Sequence, residues 1–305
     1  MTTGHTGAIH DIGYRHYDGP RLGTPYIARA LFVHSLRGAF GLGRSTKTKV
    51  MPLLLLAVMV VPALLISAIA VVTGDDKLPL EYTAYAVNLQ IIVSVFVASQ
   101  APQSVSRDLR FRVVALYFSR PLSRLAYVEA KLLAMSAAVF LLLAIPLLVL
   151  YGGALLAQMS FWDNTRGVLV ALAGAVIFAV VLASMSLVIA AFTPRRGLGV
   201  AAVVAVLLVL AAVGGTIRGI AESQSSHDVV NGVVQDPSSV AGYAGLISPF
   251  TLVDGVQTWA FRAKSSIDMP PPGTTGGIVF VLVTIAIVAA CFGLLTLRYR
   301  RVSVS

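Results

Sequence analysis

The sequence predicts an all-α membrane protein that crosses the bilayer six times. Hydrophobic residues make up 57% of the 305 residues and charged residues only 12%, a composition that soluble domains do not have. Six uncharged apolar runs are long enough to span hydrocarbon as helices, in which the backbone satisfies its own hydrogen bonds. With the first turns of the third helix included, the predicted spans are 51–73, 82–102, 125–157, 167–193, 197–217 and 276–297.

The basic residues are distributed unevenly between the segments that join these spans. Of the 23 Lys and Arg residues, 18 fall in the N-terminal segment, the loop 103–131, the turn 194–196 and the C-terminal tail. Acidic residues divide the other way, with 4 on that side and 9 on the other. Loops rich in Lys and Arg stay in the cytoplasm, so both termini are predicted inside. Anionic lipid accounts for the net charge of +10 without a nucleic-acid partner.

Two segments precede the transmembrane domain, which is predicted at 50–301. Residues 1–25 are polar and lack helical periodicity, which predicts a flexible tail. Residues 26–49 predict an interfacial helix followed by a basic anchor, because apolar residues recur on one face up to Phe40. The first apolar run follows a long polar segment, so it is expected to remain in the mature protein. The tail contains possible metal ligands, but their spacing matches no known site: His5, His10, Asp11, His16 and Asp18.

The loop between the second and third spans combines charge, aromatic residues and helix periodicity. A helix from Val105 to about Ser119, ended by Pro121, has two apolar stripes on opposite sides. One stripe contains Phe111, Val114 and Phe118 and is expected to face outward. The other, inner stripe contains Val105, Leu109, Val113 and Leu116. Interleaved charges keep the helix out of hydrocarbon. Two interpretations remain open: a lever between the bundle and a second protein, or an amphipathic helix that lies on lipid headgroups.

The same loop contains a specific local pattern. It reads Arg107-Asp108-x-Arg110, then Ala115-Leu116-Tyr117-Phe118-Ser119-Arg120-Pro121-Leu122-Ser123-Arg124, then Tyr127-Val128 and Lys131-Leu132-Leu133. This pattern resembles the cytoplasmic loop of ABC type-2 (ABC-2) permeases, the membrane subunits of ATP-binding cassette exporters. The order of spans extends the resemblance in outline from Leu31 to Arg301. The sequence departs from the family at Arg112, where glycine is frequent, and at Ala130, where a small glycine is common.

The resemblance implies a role for each part of the chain. The loop is expected to be the coupling helix, and residues 26–49 the elbow helix before the first span. ATP and Mg²⁺ are expected on a separate ATP-binding subunit, with no cofactor in this chain. A second membrane subunit, a copy or a relative, is expected to complete a dimer in a bacterial plasma membrane. The expected contacts with the ATP-binding subunit are Arg107, Asp108, Arg110, Phe111, Arg112, Val114, Phe118, Arg120, Pro121 and Arg124.

The second span contains more polar side chains than any other. They are Asn88, Gln90, Ser94, Ser99 and Gln100. Polar groups in a membrane helix face protein or a water-filled path. Hydrogen bonds between helices are the simpler explanation, whereas the resemblance implies that this span borders the translocation path.

The largest predicted extracellular segment is 218–275. Within it Ser248 and Pro249 predict a helix start, with serine as N-cap and proline at the first helical position. The helix 250–261 is too short to span a membrane. It is expected either to close the exit of a translocation path, through Phe250, Val253 and Trp259, or to lie as a belt helix at the outer interface.

The absence of certain residues and motifs argues against several classes of function. None of the six apolar runs, of which the third is 132–157, contains a charged residue or histidine, which argues against a proton-driven pump. The sequence has no metalloprotease or esterase motif, so we expect no catalytic site in this chain. The single cysteine, Cys291, cannot form a disulfide within the chain. The first hypothesis is the permease of an exporter for a lipophilic or amphipathic substrate, and the alternative is a membrane module that transmits a signal from an ATPase without transport.

Overall fold

The computed structural model describes residues 13, 18–19, 22–43, 45–74, 77–111, 113–118, 122–193, 195–227, 239–266 and 270–300. Every regular element in these residues is a helix, which confirms the all-α class. In chain order the helices are α1 Thr24–Ala39, α2 Thr46–Thr73, α3 Ala84–Asn88, α4 Gln90–Ser104, α5 Ser106–Arg110, α6 Val113–Phe118, α7 Arg124–Leu156, α8 Phe161–Phe192, α9 Arg196–His227, α10 Ser239–Ala244, α11 Pro249–Phe261 and α12 Gly273–Arg300.

Five helices in the described residues are long and apolar enough to cross a membrane: α2, α7, α8, α12 and the part of α9 from Gly197 to Ala221. They confirm a multi-pass membrane protein. α7 has 33 residues and is therefore about 50 Å long, whereas the hydrocarbon core is about 30 Å thick. One end of α7 therefore extends beyond the hydrocarbon, as the sequence predicts for the third span.

The second predicted span, 82–102, is not a continuous helix. α3 ends at Asn88 and α4 begins at Gln90, with Leu89 outside helical torsion angles between them (φ −102°, ψ 22°). The amide of Asn88 donates to the Ala84 carbonyl at 2.9 Å, and such a side chain competes with the backbone for helix acceptors. Neither piece is long enough to span hydrocarbon alone, so five of the six predicted spans are confirmed.

α7 and α8 form the centre of the bundle. Half of the most apolar stretch of α7 (50%) and more than half of that of α8 (56%) are buried, against 22% in α2 and 17% in α9 and α12. Close approach is possible because small residues line the contacts. At Gly153 of α7, a Cβ atom would lie only 2.2 Å from the Ser67 side chain of α2. The peripheral helices therefore expose apolar faces, as expected of helices that contact lipid.

The bundle has two ends, which differ in charge. At one end the first turn of α7 meets the last turn of α12, where the Arg124 guanidinium donates to the Arg300 carbonyl at 2.6 Å. The last turn of α8 lies beside them, because the guanidinium of Arg298 donates to the Ala191 carbonyl at 3.4 Å. We call this the basic end, and it also contains α1, α5 and α6. The opposite end contains α3, the start of α8 and α11.

Candidate functional site

The loop helix predicted from Val105 to about Ser119 is broken into α5 and α6. α5 ends because Phe111 leaves helical torsion angles (φ −89°, ψ 7°), and α6 ends at Phe118, close to the predicted end. Successive residues of a helix are rotated by about 100°, so a break turns α6 relative to α5. Residues that share a stripe in one continuous helix therefore no longer share a face.

Asp108 of α5 is the centre of a buried polar network. Its Oδ2 atom lies 2.8 Å from Nζ of Lys131, and these side chains are only 7% and 8% exposed. The Tyr127 hydroxyl donates to the same oxygen at 2.9 Å, and the Lys131 ammonium also donates to the Ser104 carbonyl at 2.9 Å. Burying two charges is costly unless their remaining hydrogen bonds are made, as they are here. The network joins α5 to α7.

This network changes the predicted set of partner contacts. Asp108 is buried inside the chain and is not on a surface that a partner subunit could contact, which corrects the prediction for this residue. The loop pattern alone indicates no role for Tyr127 or Lys131. Their spacing of four residues places both on one face of α7, and this was the available signal that they could share a partner.

Tyr127 is also the centre of an aromatic cluster at the basic end. Its ring centroid lies 5.6 Å from that of Tyr117, 6.0 Å from that of Phe118 and 5.0 Å from that of Tyr299. The Arg124 guanidinium lies 5.5 Å from the centroid of the Phe118 ring. Phe118 is half-buried and turned toward α7, so the prediction that it faces outward is wrong. The break at Phe111 accounts for this, because Phe118 does not belong to a helix that is continuous with α5.

The exposed surface of α5 and α6 is smaller than predicted and partly different. Phe111 is 65% exposed, as expected, and Leu116 is 69% exposed although it was assigned to the inner stripe. Arg107 and Arg110 are exposed beside them, and the Arg110 guanidinium lies 5.7 Å from the Phe111 ring centroid. We call these four residues the exposed patch. Arg112, Arg120, Pro121 and the side chain of Val114 lie outside the described residues.

α5 is also joined to the end of α8. The Ser106 hydroxyl is buried and donates to the Ala190 carbonyl at 2.6 Å. The last four carbonyls of a helix have no partner within that helix, and the contacts from Ser106 and Arg298 satisfy two of them in α8. α5 is therefore joined to α7 by an ion pair and to α8 by a hydrogen bond, and the aromatic cluster continues the contacts to α12.

The five polar residues predicted to border a translocation path do not share one environment. Ser94, Ser99 and Gln100 are buried inside the chain, and the Gln100 amide donates to the Ser99 hydroxyl at 2.9 Å. Asn88 is exposed and Gln90 is half-buried, on either side of the break between α3 and α4. Internal hydrogen bonding therefore describes Ser99 and Gln100. It also describes the amide of Asn88, which donates to the Ala84 carbonyl although this side chain is exposed.

α11 begins as the sequence predicts. The Ser248 hydroxyl accepts a hydrogen bond from the Phe250 N–H at 3.3 Å, with Pro249 at the first helical position. Phe250 and Val253 are fully buried in the bundle. The Trp259 indole lies over Gly277 of α12, where a Cβ atom would be 2.0 Å from the ring. α11 has 13 residues, or about 20 Å, and packs against the bundle at the opposite end without crossing it.

Asp254 of α11 is buried and anchors the chain that follows the helix. Its carboxylate accepts hydrogen bonds from the Ser266 N–H at 3.1 Å and the Ser265 hydroxyl at 3.2 Å, and also from the Ser266 hydroxyl. Loss of hydration raises the pKa of Asp254 above its usual range, although these hydrogen bonds and the charge of Arg218 act in the other direction. The site holds residues 265–266 against α11.

Possible metal ligands are not gathered in the described part of the chain. No three or more His, Cys, Asp or Glu side chains come together there. Of the tail residues considered as ligands, only Asp18 is described.

No protein-family model matches this chain, and no curated protein matches it. The resemblance to type-2 permeases therefore rests on the loop pattern and on the order of the spans. The geometry of the basic end is the independent ground on which function can be argued.

Proposed function

We propose that this chain is the permease subunit of an ATP-driven exporter of the ABC type-2 class. The observation that carries the proposal is the set of buried contacts between α5 and the long helices. Asp108 and Lys131 join α5 to α7, and Ser106 joins α5 to α8. A force applied to α5 is passed through these contacts to helices that can cross the membrane. A coupling element of a transporter needs this property, whereas an amphipathic helix that only rests on lipid does not.

In this proposal the basic end lies in the cytoplasm. It contains α1, which serves as the interfacial elbow helix and buries Leu31 against the bundle. α3 and α4 together cross the membrane as a broken sixth span. Broken helices are tolerated in membranes where protein covers the freed backbone groups, and most residues of α4 are buried. The six spans are completed in a plasma membrane, with α11 on the outer side.

The exposed patch is the proposed docking surface for the ATP-binding subunit, which binds ATP and Mg²⁺. Phe111 and Leu116 are large apolar side chains on a surface otherwise formed by arginines. Large apolar residues in a desolvated groove are frequent interface hot spots, and arginines at the rim suit an acidic partner surface. The patch replaces the predicted outward stripe, from which Phe118 is removed by its contact with Tyr127.

A second membrane subunit is part of the proposal. α2 and α9 bury few of their residues within one chain, so each offers an apolar face to another subunit or to lipid.

The spans are apolar, which favours a lipophilic or amphipathic substrate over a hydrophilic one. The alternative function, a membrane module that transmits a signal from an ATPase, uses the same contacts of α5. Only ATP-dependent movement of a compound across vesicles separates the two.

The test uses the full chain purified through a tag from membranes of its own cell. We expect an ATP-binding subunit to co-purify and to hydrolyse ATP in the complex. Truncation of an interface hot spot costs about 2 kcal/mol. The double variant Phe111→Ala with Leu116→Ala should therefore lower the recovery of the ATP-binding subunit by at least about tenfold. The complex in vesicles should move a fluorescent amphipathic compound only when ATP is supplied.

A matched control removes the same chemistry at the opposite end. Leu156→Ala with Phe161→Ala truncates an exposed leucine and an exposed phenylalanine there and should leave the recovery of the ATP-binding subunit unchanged. Purification without an ATP-binding subunit, or equal recovery from the patch variant, would contradict the proposed function. ATP hydrolysis without movement of any compound would favour the signalling alternative.

A further inference from the structure

A cavity of about 240 Å³ opens at the opposite end of the bundle. It lies between the residues before α3, the first turns of α8 and the end of α11. Tyr82 and Thr83 form its buried floor, and the Tyr82 hydroxyl donates to Oδ1 of Asn164 at 2.9 Å, which fixes the floor to α8. Val170 and Phe261 contribute apolar wall. The cavity is thus a shaped recess between three elements.

Charged side chains of both signs surround this recess. They come from three separate segments of the chain and are Glu81, Asp163, Arg166, Arg262 and Lys264. None of them forms an ion pair with another residue in the described part of the chain, where Asp108 and Lys131 make the ion pair. Arginine and lysine match phosphate oxygens, and carboxylates match an ammonium group. The lining therefore complements a ligand with one anionic and one cationic group.

Aromatic residues indicate the depth of the recess in the membrane. Phe161 and Trp162 directly precede Asp163 at the start of α8, and their rings pack edge to face with centroids 5.5 Å apart. Both are exposed, Trp162 by 79%. Tryptophan is enriched at the level of the lipid headgroups. The charged rim of the recess is therefore at headgroup level, and its apolar wall continues toward the hydrocarbon.

A buried donor lies directly below the floor. A second cavity, of about 10 Å³, shares Tyr82 and Thr83 with the first and is lined by Gln257 of α11. Gln257 is fully buried, yet its Nε2 atom has no hydrogen-bond partner in the described part of the chain. Gly174 of α8 makes room for it, because a Cβ atom there would lie 2.2 Å from Cδ of Gln257. A buried donor without an acceptor is costly, so an acceptor oxygen would be favourable in this second cavity.

We propose that this recess binds the headgroup of a zwitterionic phospholipid. The phosphate lies against Arg166, Arg262 and Lys264, and the ammonium group lies against Glu81 and Asp163. The acyl chains leave along Val170 and Phe261 into the bilayer. A lipid is preferred over a soluble zwitterion because the recess is at headgroup level and has an apolar wall. The inference concerns the isolated chain and holds whether or not the chain transports anything.

The test is native mass spectrometry of the purified full chain with two phospholipids of identical acyl chains. One is a phosphatidylethanolamine, with phosphate and ammonium, and the other a phosphatidylglycerol, with phosphate alone. We expect preferential retention of the first, and about a tenfold loss of retention in Arg166→Gln with Lys264→Gln. Glu81→Gln with Asp163→Asn should still retain phospholipid but lose the preference. Arg262→Asn should also weaken retention, because asparagine tolerates the positive φ of 53° at this position.

The matched control removes two exposed cations that do not line the recess. Lys77→Gln with Arg195→Gln should retain lipid like the unaltered chain. Equal retention in the recess variants, measured on chains that elute as one species and keep the unaltered melting temperature, would overturn the proposal. Binding of soluble glycerophosphoethanolamine without any retained lipid would also overturn it, because the occupant would then be a free headgroup.

Discussion

Each end of the bundle buries one aspartate in the described residues, and the two are stabilised in different ways. At the basic end Asp108 faces the ammonium of Lys131, which comes from another helix 23 positions later in the sequence. At the opposite end Asp254 accepts hydrogen bonds from Ser265 and Ser266, 11 and 12 positions later. The first arrangement uses a cation and joins two helices, whereas the second uses neutral donors and holds only the segment that follows its own helix.

The difference shows which elements the two buried carboxylates hold together. Removal of either partner of a buried ion pair strongly destabilises a protein. Separation of α5 from α7 would therefore cost a large free energy. Hydrogen bonds from a short following segment place no such constraint on the neighbouring helices. The contacts at the basic end therefore hold α5 to the long helices, whereas the charges around the recess at the opposite end are exposed and pair with no other described residue.

The largest expected effect is the loss of the cation at the basic end. Lys131→Met leaves Asp108 buried without a counter-charge, although the Tyr127 hydroxyl still donates to it. Removal of one partner of a buried pair costs about 3 to 5 kcal/mol. We expect the free energy of unfolding to fall by this amount, measured by denaturant titration of the purified chain in detergent.

The partner and a neighbour supply the controls for this prediction. Asp108→Asn added to Lys131→Met should restore part of the lost stability, because the uncompensated charge is then gone. Glu129→Gln alters an exposed charge on the same helix and should change stability by no more than about 0.5 kcal/mol. A loss below about 1 kcal/mol in the single variant, or no recovery in the double variant, would show that the pair does not hold α5 to α7.

An intermediate effect is expected at Asp254. Asp254→Asn replaces an accepting oxygen by an amide donor that faces the donors of Ser265 and Ser266. An unsatisfied buried group of this kind costs on the order of 1 to 3 kcal/mol.

The unaltered carboxyl of Asp254 also makes the stability of the protein depend on pH. Burial raises the pKa of the Asp254 carboxyl in the folded state. The contribution of this group to the free energy of unfolding is therefore full below the unfolded pKa of about 3.9 and declines as pH rises through the folded pKa.

The fluorescence of Trp259, which lies on the same helix, can be used to measure this pH dependence of stability. In a Trp162→Phe background its fluorescence follows the unfolding of the region around α11, at a series of pH values from about 4 to 8. The decline of the free energy of unfolding with rising pH should disappear in Asp254→Asn, since asparagine does not titrate. Asp163→Asn, an exposed acid at the same end, should leave the decline in place. An identical pH dependence with and without Asp254 would assign the titration to another group.

Hydropathy and charge made much of this fold predictable. Five spans correspond to helices in the structure, since about 20 apolar residues have no alternative to a helix in a membrane. The α11 start at Ser248 and Pro249 was also predictable, because the N-cap signal is local. Features set by a few neighbouring residues, or by the solvent, can be read from the sequence.

Features set by tertiary contact could not be read in the same way. The breaks at Leu89 and Phe111 interrupt segments whose periodicity predicts continuous helices. The second break decides which residues of α6 are exposed, so Phe118 and Leu116 exchange sides. The ion pair of Asp108 depends on the loop folding back onto α7, a contact that helix periodicity does not encode. The exposed side chains of this loop could therefore not be predicted one by one from the sequence.

The smallest effect on stability is expected from the exposed charges at the opposite end. Arg166 and Lys264 are exposed and form no ion pair with another described residue, so no described buried partner loses its counter-charge when they are replaced. Arg166→Gln with Lys264→Gln should change the free energy of unfolding by no more than about 0.5 kcal/mol in detergent without added phospholipid. Added phosphatidylethanolamine should stabilise the unaltered chain and not this variant, because a ligand stabilises only the state that binds it. A loss as large as that of Lys131→Met would instead mean that these cations hold the fold together. The two ends of the bundle would then not differ in the way that their contacts indicate.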